Sequence, residues 1–323
     1  MKYSFVVLAY NQEDYVAEAV SAALSQEGQP LEIILSDDCS SDATFETMQK
    51  LAAAYSGPHR VVVRRNATNL GLVGHFNAIF SLCSGDVMIV AWGDDVSMPD
   101  RAVRIREVFD NNDAWLVHSH ADCIDLAGNP IPPIYLDAGL VKGGDLASLA
   151  VSSGLFVGAT GAYHRKLVRK YGPISNPRAY EDLVYGFRAA LENGVHFIEQ
   201  PLIRYRVGSG ISTSGSLADT DGKRRARLRQ LRTQLAVLSQ RRRDAQVFGL
   251  SANDPILRRI RRHRIETLFQ LHFFGAIGSA RCSGPVLRHP ILALRARRKV
   301  RNFLRSLEPV IPQAGPTQRA RST

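Results

Sequence analysis

The chain has 323 residues, 45% hydrophobic and 22% charged, a balance that fits a soluble globular protein of one large or two modest domains and excludes a collagenous, low-complexity or wholly disordered chain. Its net charge of +11 invites an anionic partner, but a net charge has meaning only where it is located. Residues 1–216 hold 17 Lys and Arg against 24 Asp and Glu, a net of −7, whereas residues 217–323 hold 24 against 6, a net of +18.

The opening residues MKYSFVVLAYNQEDYV carry too short an apolar run for a signal peptide and read as a first strand, Tyr3–Ala9. Leu31–Ser36, Arg60–Arg64 and Asp86–Ala91 are further short runs rich in Val, Ile or Leu, as expected of buried parallel strands. Between them, Val16, Val20 and Leu24 recur at helical spacing, Asp42 can cap a helix carrying Phe45, Met48 and Leu51, and Val73–Cys83 gives a third helix. Alternation of this kind predicts a doubly wound, mostly parallel α/β sheet, whose ligands bind at the carboxyl ends of its strands.

Further along, the pattern predicts a strand at Trp115–Ser119, a turn at 127–129, a proline-rich extended connection, a helix at Leu183–Leu191 and strands at Val195–Ile198 and Leu202–Val207. Residues 146–163 lack charge, yet seven of the eighteen are Ser, Gly or Thr, which argues against a membrane span. A Gly- and Ser-rich stretch at 208–215 marks a boundary between an α/β domain over 1–215 and a basic helical appendage over 216–307, with a disordered tail at 308–323. The four cysteines, Cys39, Cys83, Cys123 and Cys282, form no CxxC pair, so neither a zinc site nor a disulfide framework is expected, and a reduced, cytoplasmic setting fits.

Chemistry concentrates at two strand ends. Leu31–Ser36 runs into Asp37–Asp38, and Asp86–Ala91 runs into Trp92–Gly93–Asp94–Asp95. Each pair alone is equally well read as turn chemistry. Two pairs ending separate strands of one sheet would crowd negative charge, which a cation or hydrogen-bond donors must compensate. Mg²⁺ or Mn²⁺ held with a diphosphate suits such oxygen ligands. His118 and His120 lack a partner at zinc spacing and read as structural.

SFVVLAYNQEDYV, LEIILSDDCSSDAT and NLGLVGHFNAIFSLCSGDVMIVAWGDD, in this order, resemble the nucleotide-sugar-binding half of the family 2 glycosyltransferases of GT-A fold, over residues 3–210 and most firmly 3–100. The resemblance implies an inverting transfer from a nucleotide-diphosphate sugar to a glycan or lipid-linked acceptor, with a divalent metal, Mn²⁺ or Mg²⁺. It implies donor binding by Ala9, Tyr10, Asn11, Asp37, Asp38, Asn69, Gly71, Asn77, Asp94 and Arg206, and metal binding by Asp94 and Asp95. Asp182, in Tyr180–Glu181–Asp182–Leu183, matches the family's general base, with Glu181 as the neighbouring charge that would raise its pKa. By the same resemblance Gly158–Gly161 lines the acceptor side, and Ser212 or Ser214 closes over the donor. Trp92 stands where many relatives have an aspartate and Gly208 where many have a histidine. A non-catalytic sugar-nucleotide-binding or scaffold protein therefore remains a second reading. A sugar-nucleotide pyrophosphorylase does not fit, since Ala9–Tyr10–Asn11–Gln12 replaces a glycine-rich basic loop.

The arginine clusters of the basic region accompany apolar positions. Besides a solvated helix surface, they suggest attachment to an anionic inner membrane face, with Phe269, Phe273, Phe274, Phe303 and Leu304 as anchors. Nucleic acid is the poorer partner, because no zinc-finger or RNA-recognition signature is present.

Overall fold

A computed structural model of the chain describes residues 1–134, 138–141, 143–209, 220–275 and 289–307. Ser212, Ser214, Cys282 and the 308–323 tail lie outside the described residues. The elements in order are β1 (Tyr3–Ala9), α1 (Val16–Leu24), β2 (Glu32–Asp37), α2 (Thr44–Ala54), β3 (Arg60–Arg65), α3 (Gly71–Leu82), β4 (Val87–Trp92) and β5 (Val96–Ser97). They continue with α4 (Arg101–Asn111), β6 (Leu116–Ile124), β7 (Pro130–Ile131), α5 (Leu146–Leu149), β8 (Ala162–His164), α6 (Lys166–Tyr171), α7 (Glu181–Leu191) and β9 (Val195–Arg206). Three helices follow, α8 (Thr220–Phe248), α9 (Pro255–Gly275) and α10 (Pro290–Arg305).

One sheet runs in the order β3-β2-β1-β4-β8-β6-β9-β5, with β7 on β6. Its first half is parallel, as the apolar runs predict, with β1 between β2 and β4. Beyond β4 it becomes mixed, because β8 is antiparallel to both β4 and β6 while β6 and β9 are parallel. The uncharged stretch 146–163 breaks into α5, a 3₁₀ turn at Gly158–Thr160 and the start of β8. Among the described residues no helix is long and apolar enough to cross a membrane.

β1 is buried along its whole length and alternates its side chains between two cores. Phe5 and Val7 meet Val16 and Val20 of α1, Met48 of α2 and Ile105 and Phe109 of α4, while Val6 and Leu8 meet Phe76 and Phe80 of α3, Tyr185 and Phe187 of α7 and Val237 of α8. The helix α4 escapes the sequence pattern because charges interrupt its Ala102, Ile105 and Phe109 stripe. The two strands expected at 195–207 are one, β9, whose register against β6 shifts twice between Ser119 and Asp122. Pro201, which cannot donate to the ladder, pairs there with His120.

Compactness divides the chain differently from composition. One unit comprises Met1–Ser216 with Arg232–Arg264, and the other Leu217–Leu231 with Ile265–Thr323. The middle of the basic region thus belongs to the first unit. Arg241 and Asp244 of α8 are buried there, and Asp244 takes two hydrogen bonds from the buried Arg188 of α7, from Nε at 2.9 Å and Nη2 at 3.1 Å. Gln240 Nε2 adds a third at 2.9 Å.

In the second unit, Leu231, Phe274 and Val300 form one apolar cluster, with Phe303 and Leu304 packed on it, and Phe269, Ala293 and Ala296 form another, which Phe273 joins. Of the five side chains expected as membrane anchors, Phe269 and Phe274 are buried in these clusters and Phe273, Phe303 and Leu304 are half-buried against them, so helix packing takes up much of their apolar surface.

Removing one partner of a buried, hydrogen-bonded ion pair strands the other charge and costs about 3–5 kcal/mol. Asp244→Ala should lower the unfolding free energy by that amount in denaturant titrations, whereas substitution of an exposed charge such as Arg104 should change it by less than about 0.5 kcal/mol.

Candidate active site

Strand order places the site. The chain leaves β1 toward β2 on one side, and β4 lies on the other, so the carboxyl ends of β1, β2 and β4 border the crevice where such sheets hold ligands. In register, Ala9 lies opposite Asp37, and Leu8 lies opposite Trp92. The segments Ala9–Asn11, Asp37–Asp38 and Trp92–Asp95 are thereby brought together.

On the β2 side the carboxylates shape the loop. Asp37 is fully buried and accepts from Ser40 N at 3.0 Å, from Ser40 Oγ, and from Arg65 Nε at 3.1 Å. Asp38 Oδ1 accepts from Asn66 Nδ2 at 2.6 Å and Leu70 N at 2.9 Å. Ser40 Oγ in turn receives Asn11 N at 2.9 Å, and Asn11 Oδ1 receives Ser41 N at 2.9 Å. This locks the ends of β1 and β2 to each other. Asp42 accepts from Thr44 N at 3.0 Å, one position ahead of the expected capping geometry, since Ala43 is the residue that precedes the helix. Tyr10, Asn11, Asn69 and Gly71 are exposed. Asn69 Oδ1 accepts from Gly71 N at 2.8 Å, which opens α3 beside Asp38's loop.

Two residues expected at the donor are engaged within the protein. Asn77 spends both ends of its amide on the backbone of Ile174, donating from Nδ2 to its carbonyl at 2.8 Å and accepting from its N–H at 3.2 Å. Arg206 is buried and donates from Nε to Asp94 O at 3.0 Å, from Nη1 to Leu126 O at 3.1 Å and from Nη2 to Glu18 at 2.8 Å, with its guanidinium over the Tyr15 ring. Its charge acts through Asp94 and Asp95 rather than at the surface of the crevice.

At the end of β4, Gly93 has no room for a side chain, since a Cβ would lie 2.6 Å from Ala9 Cβ and 2.5 Å from Gln12 Oε1. The close approach delivers Asp94 and Asp95 to the crevice. Asp94 accepts from Ser209 Oγ at 2.8 Å, and Asp95 Oδ1 accepts from Arg206 N at 2.8 Å. Burial raises the pKa of Asp94, and burial together with the neighbouring Asp94 charge raises that of Asp95 well above the usual carboxylate range. A bound cation would reverse that penalty, and two hard carboxylate donors suit Mg²⁺ or Mn²⁺ with phosphate oxygens completing the shell. Among the described residues no group of three or more His, Cys, Asp and Glu side chains forms a metal cage. Asp94 and Asp95 would thus hold such an ion jointly with its phosphate ligand.

The Gly158–Thr160 turn connects this end of the sheet to α7. Buried Arg101 donates to Ala159 O at 2.8 Å and to Val90 O at 2.7 Å. A Cβ on Gly158 would stand 2.5 Å from Glu181 Oε1 and 3.4 Å from Asp182 Cβ. Glu181 and Asp182 open α7, where the helix N-terminus alone would lower a carboxylate's pKa. Burial outweighs that effect, so Asp182 is raised to about 6 and Glu181, which also feels the Asp182 charge, to about 8. Burial raises both members, and the charge of Asp182 adds to the rise at Glu181, so the pair keeps a proton to higher pH than isolated carboxylates do. Asp182 Oδ1 accepts from Leu183 N at 2.7 Å.

Arg241 carried no local signal in the sequence beyond one of many arginine runs. Its Nε donates to Leu183 O at 2.9 Å and its Nη1 to Leu149 O and Ser152 O at 3.0 and 2.7 Å. Its charge lowers the pKa of Asp182 against the effect of burial. His118, by contrast, matches the structural reading. It is buried, with rings of Phe156 and Phe197 at 5.1 and 4.8 Å, and neither ring nitrogen has a partner among the described residues.

The sheet, its switch point and the acidic strand ends define a glycosyltransferase of GT-A fold. The chain belongs to glycosyl transferase family 2, whose model matches residues 4–172. A curated relative is the succinoglycan biosynthesis protein ExoO of Rhizobium meliloti, 36% identical over 128 residues that make up 40% of this chain and 35% of that protein. Among solved structures, S. aureus TarS in complex with UDP-GlcNAc aligns with TM-score 0.59 at 15% identity, covering 95% of this chain and 92% of that one. The mannosyltransferase PcManGT from Pyrobaculum calidifontis, in complex with GDP-Man and Mn²⁺, aligns with TM-score 0.54 at 15% identity, covering 95% and 85%. At these identities the two structures establish a common fold.

Arg241→Gln should move the Asp182 titration upward from about 6, because the neighbouring cation that favours the ionised form is lost. Carboxyl carbon NMR titration of the wild type and variant measures the change, and a downward shift would contradict the electrostatic role.

Proposed function

We propose that the protein is an inverting hexosyl- or deoxyhexosyltransferase that moves a sugar from a nucleotide-diphosphate donor to a hydroxyl of a glycan or lipid-linked acceptor, in the synthesis of a cell-surface polysaccharide. The observation that carries this reading is the pairing of two acidic centres with different properties. Asp94 and Asp95 are crowded and desolvated at the end of β4, while Asp182 has a pKa raised to about 6. The succinoglycan biosynthesis role of ExoO and the nucleotide sugars bound by TarS and PcManGT support the substrate classes.

In this reading the nucleoside lies against Ala9, Tyr10 and Asn11, with Asp37 and Asp38 holding the loop in shape and Asn69 and Gly71 on the other rim. Asp94 and Asp95 would hold the divalent ion, which when bound would offset the charge that develops on the departing diphosphate. Asp182, ionised at neutral pH, accepts the acceptor hydroxyl's proton as that oxygen bonds to the anomeric carbon. The bond from that carbon to the diphosphate oxygen breaks on the opposite face, its electron pair leaves with the diphosphate, and the configuration inverts.

Asp182→Asn should lower transfer by about 10²–10⁴-fold while donor affinity, measured by calorimetry with a nucleotide diphosphate, stays within about twofold. Undiminished turnover would exclude the base assignment. In the wild type, turnover should fall as pH drops through about 6, since the protonated carboxyl cannot accept a proton. Asp94→Asn and Asp95→Asn should raise the Mn²⁺ concentration needed for half-maximal donor hydrolysis by about tenfold or more. Metal-saturable donor binding with neither hydrolysis nor transfer in the wild type would instead indicate a binding protein.

A further inference from the structure

The helix α10 presents a surface that unit 2's own packing does not use. Its Ala293, Ala296 and Val300 are buried, yet Ile291 and Leu294 are 66% and 67% exposed. Residues three and four apart lie on one side of a helix, so Ile291, Leu294, Arg295, Arg298, Asn302 and Arg305 form a single stripe, and all six are exposed. Arg297 and Arg301, also exposed, flank it. The helix contains no Asp or Glu. Lys299 is partnered at 2.5 Å by Glu266 of α9, which leaves the arginines as the uncompensated charge of this face.

We propose that this stripe docks on an anionic lipid bilayer, with Ile291 and Leu294 entering the boundary between head groups and acyl chains and Arg295, Arg298 and Arg305 meeting lipid phosphates. The occupant follows from the two chemistries sharing one stripe. Arginines attract any polyanion, but exposed Ile and Leu at one end of a basic helix gain only where an apolar layer lies just beneath the anionic one. A nucleic acid would use the arginines and leave Ile291 and Leu294 in water. A single strand would also call for aromatic stacking platforms, and Phe269, Phe274 and Phe303 are packed within their own unit. The proposal does not depend on the reading of the catalytic site.

The full chain should co-sediment at low salt with vesicles of equal parts phosphatidylglycerol and phosphatidylcholine and not with pure phosphatidylcholine vesicles. Arg295→Gln with Arg298→Gln should weaken that binding by about 25-fold, since each basic residue at such a surface contributes on the order of a fivefold affinity gain. Ile291→Ser with Leu294→Ser should weaken it by at least about fivefold, with the helical circular dichroism and thermal midpoint unchanged because both side chains are exposed. Absence of binding to the anionic vesicles overturns the proposal. So does an Ile291→Ser, Leu294→Ser variant that binds them as tightly as wild type, and so does duplex DNA or RNA that competes fully with the vesicles at equal phosphate concentration.

Discussion

Carboxylates cannot be gathered in a desolvated crevice without partners, and the first unit is organised around meeting that constraint. The parallel register of β1, β2 and β4 sets Ala9 opposite Asp37 and Leu8 opposite Trp92, so acidic side chains from separate loops end in one place. Arginines from other elements then compensate them. Arg65 pairs with Asp37, the backbone N–H of Arg206 and the charge of Arg101 act on Asp95, and Arg241 acts on Asp182. Where compensation is incomplete, at Asp94–Asp95 and at Glu181–Asp182, the pKa values rise. Those are the places where a cation or a mobile proton has a use.

The same accounting separates the roles of the basic region. Arginine is dense across 217–323, but position decides what each guanidinium does. Arg241 lies in the interior of the first unit and donates to three backbone carbonyls. Its neighbour Asp244, one turn along α8, takes Arg188 of α7. This part of the basic sequence is architecture for α7. The arginines of α10 remain in solvent and keep their charge available to a partner.

The N-terminal half was legible because its signals are local. A buried parallel strand needs only a short run of Val, Ile and Leu, and the helices between the strands show their buried faces at three- and four-residue spacing. The acidic pairs could be read as strand ends for the same reason. Signals failed where the decisive partner was distant. Nothing near Asn77 indicates that Ile174 will take its amide, and nothing near Arg206 indicates that Glu18 and the carbonyls of Asp94 and Leu126 will enclose it. For the phenylalanines of α9 and α10 the sequence shows apolar character without showing what covers it, and the helices of their unit cover it in part.

By itself, then, the sequence determined the order of strands and helices, the ends at which carboxylates stand and the family to which the chain belongs, since each follows from residue types at short spacing. Only the tertiary structure decided which of those carboxylates stay charged. That depends on burial and on cations distant in the chain, as Arg206 is 111 residues from Asp95, and Coulomb interactions are set by distance in space rather than along the chain.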